Sequence, residues 1–335
     1  MKVDAIFRTG DITGTIADVR RLEALPVDGI FCAETAHDPF ISATLAVEHS
    51  TRAEVGTAIA VAFARNPMTV AMAAHDLQRY SNGRFILGLG SQIKPHIEKR
   101  FSMPWSHPAP RMREFIAAMR AIWRSWNDGE RLAFRGDYYK HTLMTPFFAP
   151  PASEHGAPKV FLAAVGEHMS VVAGEVADGL FVHGFSTEPY LRDVTWPAVD
   201  RGLVASGRAR EQFEMTGLVF VVTGVDEQSI ASADRLTRKQ IAFYGSTPSY
   251  LPVLAHHGWG AVQSELNVLS KRGEWDAMGA LITDEMLDAF AVRGTPDEVG
   301  RLVRARYEGQ LARCQAYMPY EVSDELHGQV VASFR

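Results

Sequence analysis

The chain has 335 residues, 47% of them hydrophobic and 22% charged, and its formal net charge is -5 at pH 7. This composition is typical of a globular protein with a large core and excludes a disordered chain. The negative balance excludes a general attraction to nucleic-acid phosphates or anionic membrane surfaces, which favour clustered Lys and Arg, so neither is an expected partner.

The cysteines and the spread of charge indicate the cellular compartment. Cys32 and Cys314 each lie in an apolar, strand-like stretch, which favours buried thiols in a reducing compartment over a disulfide. Asp4 and Asp11 interrupt the first dozen residues, so we expect no secretory leader there. No window approaches the roughly 18 apolar residues of a membrane helix. We therefore expect a cytoplasmic protein.

Short apolar runs alternate with longer segments of helical period along the chain. The predicted strands are Val3–Phe7, Gly29–Ala33, Val55–Ala62, Phe85–Leu89, Val160–Ala164, Gly179–Val182, Met215–Val222 and Cys314–Met318. The main predicted helices are Thr15–Leu25, Thr69–Tyr80, Arg111–Trp126, His168–Val176 and Pro296–Tyr307. This alternation predicts an α/β protein with the (β/α)8 TIM-barrel fold, as a single domain over 1–335.

Local signals refine this prediction. Thr295 and Pro296 are expected to cap and begin the last of these helices, and Ser81, Asn82 and Gly83 to end the helix before Phe85. Two long insertions, about 90–159 and 224–294, interrupt the regular alternation. We expect them to cover the active site at the C-terminal face of the barrel.

Barrel enzymes react at the carboxyl ends of their strands, and the residues there exclude several chemistries. No lysine lies inside or directly at such an end, which argues against a Schiff-base enzyme. No group of His and Asp residues has the arrangement of a metal-dependent hydrolase, so we expect no metal site. A GxSxG nucleophile motif is also absent from the sequence.

What remains at these ends favours a site for a preformed organic cofactor. Glycines there admit a flat ring to the backbone, and a glycine before a helix leaves free amides for a phosphate, although a tight turn explains any single glycine as well. The candidate cofactor-binding residues are Gly88, Gly90, Ser91, Gln92, Val165, Gly166, Glu167, His168, His183, Gly184, Ser186 and Thr187.

Three segments carry a resemblance to a known superfamily. They are residues 62–92, AFARNPMTVAMAAHDLQRYSNGRFILGLGSQ, residues 173–180, AGEVADGL, and residues 292–299, VRGTPDEV. In this order they resemble the luciferase-like monooxygenase superfamily. The segments GSQIKPHIEKRFSMPW, ETAHDPF and FYGSTPSY look most like its branch of coenzyme F420-dependent oxidoreductases.

The resemblance implies a cofactor ring across the barrel mouth. In the family this ring is backed by a strand-3 bulge that often contains a non-prolyl cis peptide, and here the bulge falls near Ala62 and Phe63, two further candidate cofactor-binding residues. The resemblance also implies a homodimer acting on a small organic substrate. Coenzyme F420 is the expected cofactor, with FMN as the alternative.

The candidate catalytic residues are His37 and Glu34. The strand-2 His of related sugar-phosphate dehydrogenases falls at Ala36 and their strand-4 Glu near Gln92 or Ile93, so this chain departs from that pattern. His37 is favoured because imidazole titrates near neutrality. The alternatives are that His37 caps a turn and that Glu34 binds a backbone amide or Arg65.

Other residues near the site have two interpretations each. Lys94, Lys99 and Arg100 could bind the acidic tail of the deazaflavin or form a solvated helical face. Aromatic residues could line the substrate cavity or fill the core. These are Phe63, Trp105, Phe148 and Tyr244.

The expected function is hydride transfer between reduced deazaflavin and an unidentified organic substrate. The first alternative is a two-component monooxygenase in which reduced FMN activates oxygen. The second is a non-catalytic barrel that binds a flavin or deazaflavin.

Overall fold

A computed structural model describes residues 1–7 and 11–335 and shows strands alternating with helices. The strands are β1 (Lys2–Ile6), β2 (Gly29–Cys32), β3 (Glu54–Thr57), β4 (Ala60–Val61), β5 (Phe85–Gly90), β6 (Phe134–Arg135), β7 (Lys140–His141), β8 (Lys159–Ala164), β9 (Gly179–Val182), β10 (Glu214–Val222), β11 (Ala291–Arg293) and β12 (Arg313–Tyr317). The helices are α1 (Thr15–Glu23), α2 (Pro39–Glu48), α3 (Pro67–Tyr80), α4 (Pro108–Asn127), α5 (Glu167–Val176), α6 (Glu188–Tyr190), α7 (Trp196–Ser206), α8 (Glu227–Gly245), α9 (Leu251–His256), α10 (Gly260–Arg272), α11 (Trp275–Ala280), α12 (Asp284–Phe290), α13 (Val299–Tyr307) and α14 (Asp324–Ala332).

The sheet has the order of a (β/α)8 barrel. Apart from the antiparallel pair β6–β7, the described strands belong to one sheet, and their described pairings are parallel. The predicted fold class is therefore confirmed. The chain divides into two compact units: a larger unit of Ala5–Phe181 and Ala198–Glu214, and a smaller unit of Met1–Asp4, Val182–Pro197 and Met215–Arg335.

In the larger unit, β2, β3, β5 and β8 are parallel neighbours. Every residue of β2 and β5 is buried, as expected for strands that are covered on both faces. Buried faces of α3 and α4 pack together, and the Trp123 indole donates a hydrogen bond to the Ala71 carbonyl at 3.1 Å. Cys32 is a buried free thiol, and burial raises its pKa to about 12.

In the smaller unit, β1, β12, β10 and β11 are parallel neighbours. Asp4 on β1 and Arg313 on β12 form a buried bidentate ion pair with N to O distances of 2.9 and 2.7 Å. Cys314, beside this pair, is also a buried free thiol, so the prediction of reduced cysteines is confirmed.

The eight predicted strands are confirmed, with three local differences. The predicted strand Val55–Ala62 is interrupted, so that it forms β3 and β4. The short strand β11 was not predicted, because its three residues directly follow α12. The predicted cap at Thr295 is wrong: α13 begins at Val299, and the Thr295 hydroxyl donates to the Glu298 carboxylate at 2.9 Å.

The predicted end of α3 is confirmed. The helix stops at Tyr80, and Asn82 and Gly83 follow with φ of 53° and 82°. These left-handed residues place the Asn82 and Gly83 amides where they donate to carbonyls of the last helical turn. Over residues 1–7 and 11–335, no helix has the length and apolar character required to span a membrane.

Candidate active site

The Glu34 carboxylate lies just after β2, is buried in the larger unit and accepts hydrogen bonds there. Its side chain is 4% exposed, and its Oε2 atom accepts hydrogen bonds from the Val61 amide at 2.7 Å and from Arg65 Nη1 at 2.6 Å. The other arm of Arg65 binds the Asp38 carboxylate at 2.6 Å. Burial lowers the pKa of Arg65, but the bonds to the two carboxylates outweigh it and raise that pKa. The alternative interpretation of Glu34, binding to an amide and to Arg65, is confirmed.

His37 lies in the loop between β2 and α2 and is half-buried. The neighbouring Asp38, not His37, caps α2 by accepting a hydrogen bond from the Phe40 amide at 2.8 Å. Arg100 donates a hydrogen bond to the Thr35 carbonyl in the same loop. The imidazole of His37 is therefore held on a loop fixed on both sides, and its catalytic role stays a prediction.

The break between β3 and β4 contains a non-prolyl cis peptide bond. It joins Ala58 to Ile59, rather than lying near Ala62 and Phe63 as expected. Those two residues are fully buried in a short 3₁₀ helix over 62–64. The break leaves the Ile59 carbonyl free to accept a hydrogen bond from the Glu34 amide at 3.2 Å.

The glycines of β5 serve the packing of the strands. A Cβ atom at Gly88 would collide with the Thr57 carbonyl oxygen, and one at Gly90 would lie 2.7 Å from the Ile59 side chain. Thr57 also binds the Gly88 backbone twice, donating to its carbonyl at 2.7 Å and accepting from its amide at 3.0 Å. These glycines therefore permit a close approach of the Thr57 backbone at Gly88 and of the Ile59 side chain at Gly90, and their role in binding a ring stays a prediction.

The end of β5 has an unusual backbone conformation. Gln92 has a φ of 61°, in the left-handed region that favours glycine. Its Oε1 atom accepts a hydrogen bond from the Ile93 amide at 3.0 Å, while Ser91 donates to the Gln92 carbonyl at 3.2 Å. In the next turn Lys94 lies 3.8 Å from Glu98, and both are exposed, which matches the solvated helical face considered as the alternative.

The start of α5 is the most open of the glycine sites. Gly166, Glu167 and His168 are exposed, Val165 is half-buried, and nothing lies within 4 Å of a Cβ atom at Gly166. The first amides of a helix have no partner within it, so those of α5 are available to an anion. Glu167 in the first turn forms an ion pair with Arg201.

A buried arginine that the sequence analysis did not single out lies beside Phe63. The Arg111 guanidinium is 4.3 Å from the Phe63 ring centre and donates to the Pro104 carbonyl at 2.7 Å and to the Tyr139 hydroxyl at 2.9 Å. Phe63 also contacts Trp105 edge-to-face at 5.7 Å. These contacts fix the first long insertion, whereas Phe148 is 74% exposed there and is not a core residue.

In the smaller unit, His183 directly follows β9 and lies among tyrosines. Its ring stacks on Tyr250 at 4.8 Å and meets Tyr244 edge-on at 4.6 Å. The Tyr244 hydroxyl lies 3.3 Å from that of Tyr317, the last residue of β12. We name these four residues, His183, Tyr244, Tyr250 and Tyr317, the His183 cluster. Tyr317 lies at the carboxyl end of β12, a strand end that was not searched for site residues in the sequence, and such a search would have found it.

The other candidates after β9 have local roles. The Thr187 hydroxyl lies 2.7 Å from His257 Nε2 and accepts from the Tyr190 amide at 3.3 Å. Gly184 is buried, with 3.2 Å between a Cβ atom there and the Leu218 side chain. The Ser186 hydroxyl is buried and has no hydrogen-bond partner in the described part of the chain.

Similarity to known proteins agrees with this architecture. The luciferase-like monooxygenase family model matches residues 6–314. An uncharacterized protein of Mycobacterium tuberculosis is 57% identical over 292 residues, covering 87% of this chain and 86% of that protein. The 5,10-methylenetetrahydromethanopterin reductase of Archaeoglobus fulgidus is 29% identical over 241 residues, covering 70% of this chain and 67% of that enzyme.

Two solved structures share the fold. One is the coenzyme F420 dependent tetrahydromethanopterin reductase of Methanopyrus kandleri, with a TM-score of 0.79, 17% identity and coverage of 99% of this chain and 96% of that one. The other is a type II Baeyer-Villiger monooxygenase of Pseudomonas putida in complex with FMN, with a TM-score of 0.69, 16% identity and coverage of 99% and 97%. This chain belongs to the luciferase-like monooxygenase family.

Proposed function

We propose that this chain is a coenzyme F420-dependent oxidoreductase that transfers a hydride between the deazaflavin and an organic substrate. One observation carries the proposal: the sequence comparison reaches the 5,10-methylenetetrahydromethanopterin reductase of Archaeoglobus fulgidus, and the structure comparison reaches the tetrahydromethanopterin reductase of Methanopyrus kandleri. The name of the second specifies coenzyme F420.

The donor set of the larger unit fits a ring with a phosphate-bearing tail. Gly166 leaves open space in front of the free amides of α5, where a phosphate oxygen would accept hydrogen bonds. Ser91 and Gln92 supply a hydroxyl and an amide at the end of β5. When bound, the deazaflavin supplies a hydride donor or acceptor at its C5 carbon.

The chain itself supplies positioning and one proton-transfer group. Glu34 acts as a positioning residue, because its carboxylate already binds the Val61 amide and Arg65. His37 is the side chain we assign to proton transfer, because it is a half-buried imidazole on the loop between β2 and α2, and imidazole is the commonest general acid and base in enzymes. A His37→Ala variant that keeps the full rate would remove this assignment, whereas a wild-type protein with no measurable rate to lose would favour the non-catalytic barrel.

FMN is the second candidate cofactor. The Pseudomonas putida monooxygenase with the same fold contains it, and a phosphate-tailed ring of similar size meets the same donor set. In that case the chain would bind reduced FMN and consume oxygen.

A titration of the purified protein separates the two cofactors. We expect oxidised and reduced F420 to bind, with a change in deazaflavin absorbance or fluorescence, and FMN to bind at least tenfold more weakly. Tight FMN binding with oxygen consumption, together with no F420 binding, would overturn the proposal.

We also propose that the chain is a homodimer in the cytoplasm, and light scattering that shows only monomer would contradict the dimer.

A further inference from the structure

The His183 cluster is a group of half-buried rings that the proposed hydride transfer does not yet use. Its members come from distant parts of the smaller unit: the end of β9, the end of β12, α8 and the 3₁₀ turn over 248–250. Two of them come from the second long insertion. The ring centres of His183, Tyr244 and Tyr250 lie 4.6 to 6.3 Å apart, so they form one continuous aromatic surface.

The imidazole in this surface is neutral and serves as a donor. His183 Nδ1 accepts a hydrogen bond from the Phe185 amide at 3.0 Å, so in the neutral ring the proton is on Nε2. Burial lowers the pKa of His183 to about 4. Near pH 7 the ring therefore presents one N–H and no charge.

Tyr250 and Tyr317 are neutral as well. Burial raises the pKa of Tyr250 to about 12 and raises the pKa of Tyr317, which also shares a hydrogen bond with Tyr244. A pair of hydroxyls has two protons, and the single contact between them uses one, so the pair retains a proton to donate.

Charge is absent from the contacts of the cluster. Over residues 1–7 and 11–335, none of its four side chains forms an ion pair or hydrogen bond with Lys, Arg, Asp or Glu. Two buried hydroxyls that follow the adjoining strands, Ser186 after β9 and Thr223 after β10, have no hydrogen-bond partner among the residues that the structure describes. Thr223 is 1% exposed, so bulk water does not reach its hydroxyl either.

We propose that the His183 cluster is the substrate-recognition surface and that it selects an uncharged organic substrate with a flat ring and a carbonyl oxygen. The ring packs against this aromatic surface, in which Tyr250 and His183 already stack on each other, and the oxygen accepts hydrogen bonds from the neutral Nε2 and tyrosine donors. A phosphate or carboxylate is disfavoured, because its desolvation would not be offset by a cation in this cluster. The role as substrate site rests on the proposed oxidoreductase function, but the selectivity for neutral rings does not.

The test uses a panel of fused-ring ketones, such as α-tetralone, each paired with its carboxylate-bearing analogue. Binding to the full-length protein is measured by calorimetry, with and without F420. We expect the neutral member of a pair to bind at least tenfold more tightly than the anion. Equal or tighter binding of the anions, or no binding by any neutral ketone, would overturn the inference.

Hydroxyl-deletion variants localise the effect. Tyr244→Phe and Tyr317→Phe keep their rings and should each weaken the best neutral ligand about 3- to 10-fold, as expected for one hydrogen bond. Tyr80→Phe, on the exposed surface of α3, is the matched control and should have no effect. Unchanged affinity in both cluster variants, with circular dichroism like that of the wild type, would place recognition elsewhere.

The two proposals fail separately in this design. If the ketones bind as expected while F420 does not bind, the recognition surface stands and the cofactor proposal fails. If F420 binds and the anionic analogues are preferred, the recognition surface fails and the cofactor proposal stands.

Discussion

Replacement of Glu34 by Gln tests whether its carboxylate is structural or catalytic. The side chain is 4% exposed and accepts two hydrogen bonds, one of them from a guanidinium. A hydrogen bond to a charged group contributes about 1.5–3 kcal/mol, and Gln keeps the shape and one neutral bond to the Val61 amide. Because Asp38 still neutralises Arg65, we expect Glu34→Gln to lower the free energy of unfolding by about 2–3 kcal/mol.

Asp38→Asn is the matched control for this prediction. It removes the second carboxylate of the same arginine, but the Asp38 side chain is 43% exposed, and Asn still caps α2. We expect a loss of about 0–1 kcal/mol, as for exposed ion pairs. Urea denaturation followed by circular dichroism measures both variants. If Glu34→Gln unfolds at the wild-type urea concentration yet loses its activity, the structural interpretation is wrong and the carboxylate takes part in the reaction.

Three further predictions concern stability. Burial lowers the pKa of His183 to about 4 in the folded protein, so as pH falls below about 6.5 the unfolded chain takes up a proton before the folded one does. The free energy of unfolding should therefore decrease from about pH 6.5 to about pH 4. His183→Gln should flatten this part of a plot of the urea midpoint against pH. Gly88→Ala should prevent soluble expression, because its Cβ atom would collide with backbone. Gly166→Ala should melt within about 2 °C of the wild type, because its site is open. Equal melting temperatures of the two variants would contradict the packing argument. Asp4→Asn should lower the free energy of unfolding by about 3–5 kcal/mol, because it removes the carboxylate that binds the buried Arg313 guanidinium, and a loss below about 1 kcal/mol would show that the pair is not desolvated.

The fold was predictable because its signals are local. The strands that correspond to the eight predicted ones (β1, β2, β3, β5, β8, β9, β10 and β12) are mostly apolar runs of four to nine residues, and α3 ends at a Ser-Asn-Gly turn that can be identified in sequence. The failures were local as well. Strand β11 has three residues and no polar boundary after α12, while the Thr295 motif forms a turn that binds Glu298 before α13 begins. Such short competing structures are decided by tertiary contacts that the local pattern does not contain.

The candidate site was predictable where it depends on strand ends and not where it depends on long-range contacts. Glu34 and Arg65 follow neighbouring parallel strands, so their meeting was foreseen as an alternative. The contact of Arg111 with Phe63 and Tyr139 was not foreseen, because it joins the 3₁₀ helix after β4 to an insertion, and the partners of Arg111 lie 48 and 28 residues away in sequence. No local period encodes such a contact.

The distribution of charge around these residues constrains the chemistry. In the larger unit the charges of Glu34, Arg65 and Asp38 compensate one another and hold the loops after β2 and β4. In the smaller unit the donors of the His183 cluster are neutral at pH 7. A protein arranged in this way is poorly suited to stabilise a strongly charged reaction centre by itself, and well suited to orient a bound redox cofactor and an uncharged partner. The hydride transfer that we propose makes that limited demand, because the cofactor would supply the reactive carbon and the protein orientation and at most a single proton, which we assign to His37.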